Sequence, residues 1–139
     1  MSITPIRIIL VDDHDQVRQS WKELLEINQD FQIIAECDNG NSAIDLAKDL
    51  KPDVMLVDIN MSPVNGFTVT KEIVQHSPSV KILGLSINND PNYASRMIGL
   101  GAKGYITKNA AFDELAEAIY EICKGNIYIC RELRPRMGK

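Results

Sequence analysis

Three acidic side chains stand at the ends of short apolar runs. Asp12 and Asp13 follow the run Ile6 to Val11, and Asp58 closes the run Val54 to Val57. Two carboxylates 4 Å apart repel by about 4 kcal/mol at an effective dielectric of 20, so three together need a counter-cation or raised pKa values. Oxygen ligands without a nearby His and Cys set favour Mg²⁺, Mn²⁺ or Ca²⁺ over zinc or copper, and Mg²⁺ best suits a site that also takes a phosphate oxygen.

Two further side chains complete a possible reaction site. Lys108 follows the short apolar run that ends at Thr107, and Ser86 ends the run that begins at Lys81. Three carboxylate charges are balanced by one divalent ion and one lysine, and the serine adds a hydroxyl donor. These are the parts needed for phosphoryl transfer onto Asp58, in which positioning and charge stabilisation do most of the catalysis.

Each of these residues, taken alone, has an ordinary structural explanation. An aspartate can cap a helix or form a turn, a serine can cap the next turn, and a lysine can be solvated. Their position at the ends of four separate runs favours phosphoryl transfer. His14, directly after the acidic pair, is interpreted as solvated or turn-forming and not as a ligand.

The elements that must position these groups are five apolar runs alternating with five amphipathic helical patterns. The alternation predicts right-handed βαβ units in an α/β fold, a flavodoxin-like doubly wound three-layer sandwich with a five-stranded parallel sheet. The strand order 2-1-3-4-5 suits five strands best, and it brings Asp12, Asp13 and Asp58 to one edge of the sheet. The predicted strands are Ile6 to Val11, Phe31 to Glu36, Val54 to Asp58, Lys81 to Ser86 and Gly104 to Thr107.

Composition limits the class of protein. A length of 139 residues suits one domain, and a net charge of −4 argues against general binding of nucleic acid. The three cysteines have no Cys-x-x-Cys spacing, which indicates free thiols in a reducing cytoplasm. No apolar run has membrane-spanning length, and the first residues lack the layout of a signal peptide. We therefore expect a cytoplasmic protein without membrane contact.

The chain from about Ile6 to Gly125 resembles the receiver domain of bacterial two-component response regulators. The resemblance is carried by Val-Asp-Asp-His at 11–14, Asp-Ile-Asn-Met at 58–61, Ser86 and Gly-Ala-Lys-Gly-Tyr-Ile-Thr-Lys at 101–108. It implies that Asp58 is the phosphoacceptor, which takes its phosphoryl group from a phosphohistidine of a sensor histidine kinase.

The same resemblance implies roles for the neighbouring residues. Asp12, Asp13 (more directly) and Asp58 would hold Mg²⁺ or Mn²⁺, with the backbone carbonyl of Asn60 as a further ligand. Ser86 and Lys108 would bind the phosphoryl oxygens. Ser86 and Tyr105 would act as the switch pair: the hydroxyl moves toward the phosphoryl group and the aromatic ring turns inward behind it.

Finer features resemble the NarL/LuxR-type subfamily, in which a helix-turn-helix DNA-binding domain follows the receiver. They are Arg18, Gly-Ala-x-Gly-Tyr at 101–105 and Lys-Gly-Asn-Ile-Tyr at 124–128. We expect residues 1–125 to form the receiver domain and residues 126–139 to be a C-terminal tail or the start of a linker, in a truncated chain or a stand-alone receiver. The resemblance implies control of transcription through a DNA-binding domain absent from this chain, with homodimerisation on phosphorylation as a further possibility.

Three positions depart from the family pattern. Asn109 stands where proline usually follows the lysine, which leaves the reach of Lys108 open because a non-proline cis bond costs about 2.5–4 kcal/mol. Ser62-Pro63 places a proline one position later than usual. Ile87 replaces a small residue, and we expect its bulk to hinder attacking water and slow dephosphorylation.

Other functions compete with this interpretation. A haloacid-dehalogenase-type phosphatase also uses a strand-end aspartate with Mg²⁺, but it needs a second aspartate where Asn60 stands. A flavodoxin-like cofactor binder would need a phosphate-binding loop after the first strand, where this chain has acidic residues. A receiver that acts as a scaffold without phosphorylation remains the main alternative.

Overall fold

Strands and helices alternate through residues 4–110 and 112–137, the part of the chain that the computed structural model describes. The strands are β1 (Ile6–Val11), β2 (Phe31–Cys37), β3 (Val54–Asp58), β4 (Lys81–Ser86), β5 (Gly104–Thr107) and β6 (Tyr128–Ile129). The helices are α1 (Asp15–Ile27), α2 (Gly40–Leu50), α3 (Gly66–His76), α4 (Pro91–Gly99), α5 (Phe112–Cys123) and a 3₁₀ turn at Arg134–Arg136. Gly138 and Lys139, which end the predicted tail, lie outside the described residues, as do residues 1–3 and 111.

The sheet is parallel with the order β2-β1-β3-β4-β5-β6. The predicted α/β fold and the order of the first five strands are confirmed. The predicted count of five strands is wrong, because Tyr128 and Ile129 pair with Gly104 and Tyr105 to add a sixth edge strand. Two residues are too few to give an alternating or continuous apolar pattern, so this strand had no signal in the sequence.

β3 lies in the middle of the sheet, and all five of its residues are buried. A strand covered by helices on both faces needs apolar side chains at successive positions, which explains the run Val-Met-Leu-Val. Asp58 ends that run and is the exception: it is fully buried although it carries a carboxylate. The fold therefore removes one acidic group from water at the centre of the sheet.

Register brings the strand ends to one edge. Val11 is level with Val57 across β1 and β3, and Ser86 is level with Thr107 across β4 and β5. Because the strands are parallel, the residues after these positions leave the sheet on the same side. The crevice between β1 and β3, where the connections turn in opposite directions, is the expected place for a ligand in such a sheet.

The segment after α5 is fastened to the sheet. Cys130 and Leu133 are completely buried, and the buried Glu114 accepts hydrogen bonds from the Tyr128 hydroxyl and the Arg131 N–H, both at 2.7 Å. Further along, Glu132 accepts a hydrogen bond from the Thr107 hydroxyl at 2.9 Å. Residues 128–133 are thus packed against β5 and α5.

Gly66, the first residue of α3, permits a close approach to the connection after β3. A Cβ at this position would lie 2.4 Å from the Ile59 Cα and 2.8 Å from the Asp58 carbonyl oxygen, and backbone cannot yield as a side-chain end can. We expect Gly66→Ala to destabilise the fold by about 2 kcal/mol or more. Gly99→Ala is the control, since a Cβ there meets nothing within 4 Å and alanine favours helix by about 0.5–1 kcal/mol. Urea unfolding of both variants tests this, and equal stabilities would contradict it.

Candidate functional site

Four potential metal ligands meet at the predicted edge of the sheet. One ligand atom from each of Asp12, Asp13, His14 and Asp58 lies within 4.8 Å of the others. Asp12 and Asp58 are buried, whereas Asp13 is partly exposed. The three carboxylates that the sequence placed together are therefore neighbours in space, although 44 positions separate Asp58 from His14, the last residue of the acidic turn.

Lys108 reaches into this group from the end of β5. Its Nζ lies 3.0 Å from Asp12 Oδ2 and 3.4 Å from Asp58 Oδ2, and its side chain is only 11% exposed. Its backbone N–H donates to the Ser86 carbonyl at 2.7 Å, which fixes the start of the side chain. Ser62–Pro63 is the cis peptide bond in the described residues, and Lys108 reaches the carboxylates with a trans bond to Asn109.

The two oxygens of Asp58 have different surroundings. Oδ1 accepts a hydrogen bond from the Asn60 N–H at 3.0 Å, while Oδ2 is buried without a hydrogen-bond partner. Burial raises the pKa of Asp58, the Asn60 N–H and the Lys108 ammonium oppose that rise, and the charge of Asp12 adds to it. A buried carboxylate oxygen that faces two more carboxylates fits a hard divalent cation, which needs oxygen ligands and neutralises them.

Ser86 is buried beside this group and connects two asparagines. Its hydroxyl donates to Asn60 Oδ1 at 2.7 Å and accepts from the Asn88 N–H at 2.9 Å. The side chain of Asn60, which had no predicted role, thus joins the aspartate loop to the loop after β4. Metal ligation by the backbone carbonyl of Asn60, the role predicted for this residue from the sequence, remains a prediction.

Tyr105 points into the protein and is fully buried. Its hydroxyl donates to the Asn88 carbonyl at 2.7 Å, and burial raises its pKa to about 12. Asn88 therefore contacts both predicted switch residues, through its N–H to Ser86 and through its carbonyl to Tyr105. Nothing in the pattern of the sequence marks Asn88 for this place.

Arg18 holds the backbone of the acidic turn. Its guanidinium donates to the Asp12 carbonyl at 2.6 Å and to Glu36 Oε1 at 2.8 Å. Glu36 also contacts Lys22 Nζ at 2.9 Å, and these two cations lower the pKa of Glu36, with Lys22 the larger cause. The arginine thereby links the end of β1 to α1 and β2.

His14 is closer to the carboxylates than its sequence interpretation implied. Its side chain is 64% exposed, as expected for a solvated residue, and it makes no capping hydrogen bond to α1. Its Nδ1, however, lies 3.2 Å from Asp13 Oδ1 and 3.3 Å from Asp12 Oδ1. In the sequence, only the acidic pair directly before His14 indicated this contact. A side chain in a turn can point toward the carboxylates or toward solvent, so the sequence did not decide between them.

Comparison with known proteins gives a consistent family match. Residues 8–120 match the sequence model of the response regulator receiver domain. The chain is 38% identical over 124 residues to the transcriptional regulatory protein DegU of Brevibacillus brevis, covering 89% of this chain and 52% of that protein. It is 30% identical over 131 residues to the nitrate/nitrite response regulator protein NarL of Escherichia coli K12, covering 94% of this chain and 61% of that protein.

A solved structure agrees in fold. A LuxR-family two-component response regulator from Aurantimonas sp. SI85-9A1 superposes with a TM-score of 0.91 at 28% identity, over 95% of this chain and 94% of that one. The chain thus spans about half to three fifths of the length of DegU and NarL. Among residues 4–110 and 112–137, no helix combines the length and apolar character that a membrane crossing requires.

Proposed function

The chain belongs to the response regulator receiver domain family, with NarL/LuxR-type relatives, and from this premise we propose that it is switched by phosphorylation of Asp58. Receiver domains are signalling domains of two-component systems. The observation that carries the proposal is the buried Oδ2 of Asp58, which has no hydrogen-bond partner and lies 3.4 Å from the Lys108 ammonium. Such a carboxylate would have an oxygen free to react, and the ammonium would stabilise the phosphorylated product.

The proposed reaction moves one phosphoryl group. A carboxylate oxygen of Asp58 forms a bond to phosphorus, and the bond from phosphorus to the imidazole nitrogen of a sensor histidine kinase breaks. The electron pair leaves with the imidazole, which takes up a proton from solvent. The product is an acyl phosphate on Asp58 and an unmodified kinase histidine. Acetyl phosphate supplies the same group with acetate as the leaving group.

The neighbouring side chains have electrostatic roles in this reaction. Lys108 and the Ser86 hydroxyl would bind phosphoryl oxygens, where fixed donors stabilise the charge that develops. Asp12, Asp13, Asp58 and the Asn60 carbonyl would hold Mg²⁺ or Mn²⁺, which when bound offsets the negative charge of carboxylates and phosphoryl group. Arg18 keeps the Asp12 backbone in place.

The switch would run through Asn88. If the Ser86 oxygen moves away from Asn60 Oδ1 toward a phosphoryl oxygen, its distance to the Asn88 N–H would change as well, because the same oxygen accepts from that N–H. Tyr105 is bonded to the carbonyl of the same residue. We propose that the Tyr105 ring, which already points inward here, holds the loop after β4 in the conformation that Ser86 selects.

The output of the switch is inferred from the relatives. DegU is a transcriptional regulatory protein, and NarL is a nitrate/nitrite response regulator protein. We propose that residues 1–125 receive the phosphoryl group and that residues 126–139 lead toward a DNA-binding effector domain, so that DNA is contacted only through that domain. A cytoplasmic histidine kinase domain is the proposed donor, and phosphorylation would favour a homodimer.

Intact mass spectrometry after incubation with acetyl phosphate and Mg²⁺ tests the function. We expect the wild-type chain to gain one phosphoryl group and Asp58→Asn to gain none. Asp45→Asn, a change of the same kind at an exposed position of α2, should gain one as the wild type does. No gain in the wild type would favour a scaffold that acts without phosphorylation, and steady turnover of p-nitrophenyl phosphate would favour a phosphatase.

Ile87 provides a prediction about the lifetime of the phosphorylated state. Its side chain is 72% exposed beside the mouth of the site, where it lines one surface cavity with Lys108 and Trp21. We expect Ile87→Ala to speed loss of phosphate by about 3–10-fold, corresponding to a barrier change of about 1 kcal/mol. The smaller side chain lets water reach the phosphoryl group more easily. Mass spectrometry at successive times measures how fast the phosphorylated protein disappears. Ile127→Ala, another exposed isoleucine, is the control, and equal lifetimes in all three would contradict the role.

A further inference from the structure

The imidazole of His14 faces the carboxylate group and not the solvent alone. Nδ1 lies 3.2 Å from Asp13 Oδ1, 3.3 Å from Asp12 Oδ1 and 3.9 Å from Asp58 Oδ2. The residue is held there by its own backbone, since the His14 N–H donates to Asp12 Oδ1 at 2.8 Å. One histidine nitrogen is therefore a near neighbour of three separate carboxylates.

These spacings are those of donors around a common ion. Two ligands bound about 2.1 Å from one metal ion lie about 3.0 Å apart at a right angle and about 4.2 Å apart on opposite sides. The three distances from Nδ1 fall within that interval, and Asp58 Oδ2 is buried without a hydrogen-bond partner. With the ring's outer edge in solvent, Nε2 can carry the proton and leave the Nδ1 lone pair free.

Resting on the cation site of the proposed function, we infer that His14 is an additional metal ligand and gives this site a preference for ions that bind imidazole, such as Ni²⁺. Carboxylates and carbonyls alone suit Mg²⁺ and Mn²⁺, whereas imidazole suits the later transition metals. With His14 as the fourth side chain, the site would favour Ni²⁺ over Mg²⁺ more strongly than the three carboxylates alone would.

An electrostatic role for His14 makes the opposite prediction. If the ring were only a positive counter-charge for the carboxylates, any cation would have to overcome it, and its removal would tighten Mg²⁺ and Ni²⁺ binding alike. If the ring is a ligand, its removal weakens Ni²⁺ and leaves Mg²⁺ nearly unchanged. The ratio of the two affinities separates these roles without any measurement of phosphorylation.

Isothermal titration of the metal-free chain with NiCl₂ and, separately, with MgCl₂ is the test, with fluorescence of Trp21, the only tryptophan, as a second readout. Trp21 lines a small cavity with Asp12, so an ion bound there should alter its emission. We expect His14→Ala to raise the Ni²⁺ Kd at least tenfold and to change the Mg²⁺ Kd by less than about threefold. His76→Ala, which removes the other histidine of the chain, should change neither.

Three outcomes would overturn the inference. They are an unchanged Ni²⁺ Kd in His14→Ala, equal tightening of both ions in that variant, and Ni²⁺ binding that persists unchanged in Asp58→Asn. In each of these cases, if the wild type still binds Mg²⁺, the proposed phosphorylation site is not contradicted. Absence of Mg²⁺ binding in the wild type would instead remove the cation site itself, and the inference with it.

Discussion

Asp58→Asn is expected to abolish phosphorylation and yet to stabilise the folded protein at neutral pH, by about 1–2 kcal/mol. The side chain is fully buried, its Oδ2 has no hydrogen-bond partner, and the Asp12 carboxylate lies nearby. Asparagine has the same shape and removes one of the repelling charges. Lys108 keeps a partner, because its Nζ is 3.0 Å from Asp12, so the substitution leaves no unpaired buried ammonium.

The gain in stability should depend on pH in a definite direction. Folding raises the pKa of Asp58 above its ordinary value of 3.8, so the unfolded chain ionises it first and folding is opposed at higher pH. The advantage of asparagine is complete above the raised pKa. It shrinks as the pH falls through the interval between the raised value and 3.8, and it vanishes below that interval.

Urea unfolding of wild type and variant at neutral and acidic pH, without added divalent cation, measures this. Asp45→Asn is the control for loss of a charge at an exposed place. Added Mg²⁺ should raise the stability of the wild type by mass action and that of Asp58→Asn less, because a ligand is missing. A variant less stable than the wild type at neutral pH would show that the Asp58 carboxylate is not under electrostatic strain.

Lys108→Ala is expected to lower the free energy of unfolding by about 3 kcal/mol at neutral pH. Removal of one partner from a buried ion pair leaves the other partner's charge uncompensated. Here the buried carboxylates of Asp12 and Asp58 would both lose the Lys108 ammonium. We also expect the rate of phosphorylation by acetyl phosphate to fall by about 10²–10³-fold, the usual cost of losing one fixed donor to a developing charge.

A double-mutant cycle makes this second prediction specific. If part of the stabilisation by Lys108 runs through Asp58, its removal should cost less in the Asp58→Asn background, by a coupling energy of more than about 1 kcal/mol, while the ion pair with Asp12 is retained in that background. Lys103→Ala removes an exposed lysine just before β5, at the other end of the strand from Lys108, and should have little effect. Equal losses from Lys108→Ala in both backgrounds would mean that the effect runs through Asp12 or through packing of the lysine stem, and not through Asp58.

The order of the sheet and the main site were predictable for a physical reason. A strand buried on both faces must be apolar at each position, so Val54 to Val57 could be recognised without partners, and a carboxylate that closes such a run stands out. Because parallel strands end at a common edge, Asp12, Ser86 and Lys108 could be assigned to the same crevice from their positions alone. The order of the strands was enough to predict that these residues lie together, without any knowledge of how their side chains pack.

Other features depend on side-chain directions that periodicity does not encode. His14 lies in a turn, and the direction of its ring depends on contacts of Nδ1 with Asp12 and Asp13 that the sequence pattern does not encode. The part of Asn88 depends on a loop conformation shared with Ser86 and Tyr105. The sixth strand is held by the bond from the Tyr128 hydroxyl to Glu114, fourteen positions earlier, and by the burial of Leu133 just after it, and a two-residue strand gives no pattern that predicts either contact.

The ion pair between Asp12 and Lys108 joins positions 96 apart in the chain. During synthesis on the ribosome, the aspartates emerge long before the lysine that compensates them. An incomplete chain therefore holds its acidic residues without their ammonium, and the site cannot assemble until the fifth strand has been added and the long-range pairing has closed. If Asp58 is phosphorylated as we propose, nascent chains that still lack Lys108 are expected to remain unphosphorylated until the domain is whole.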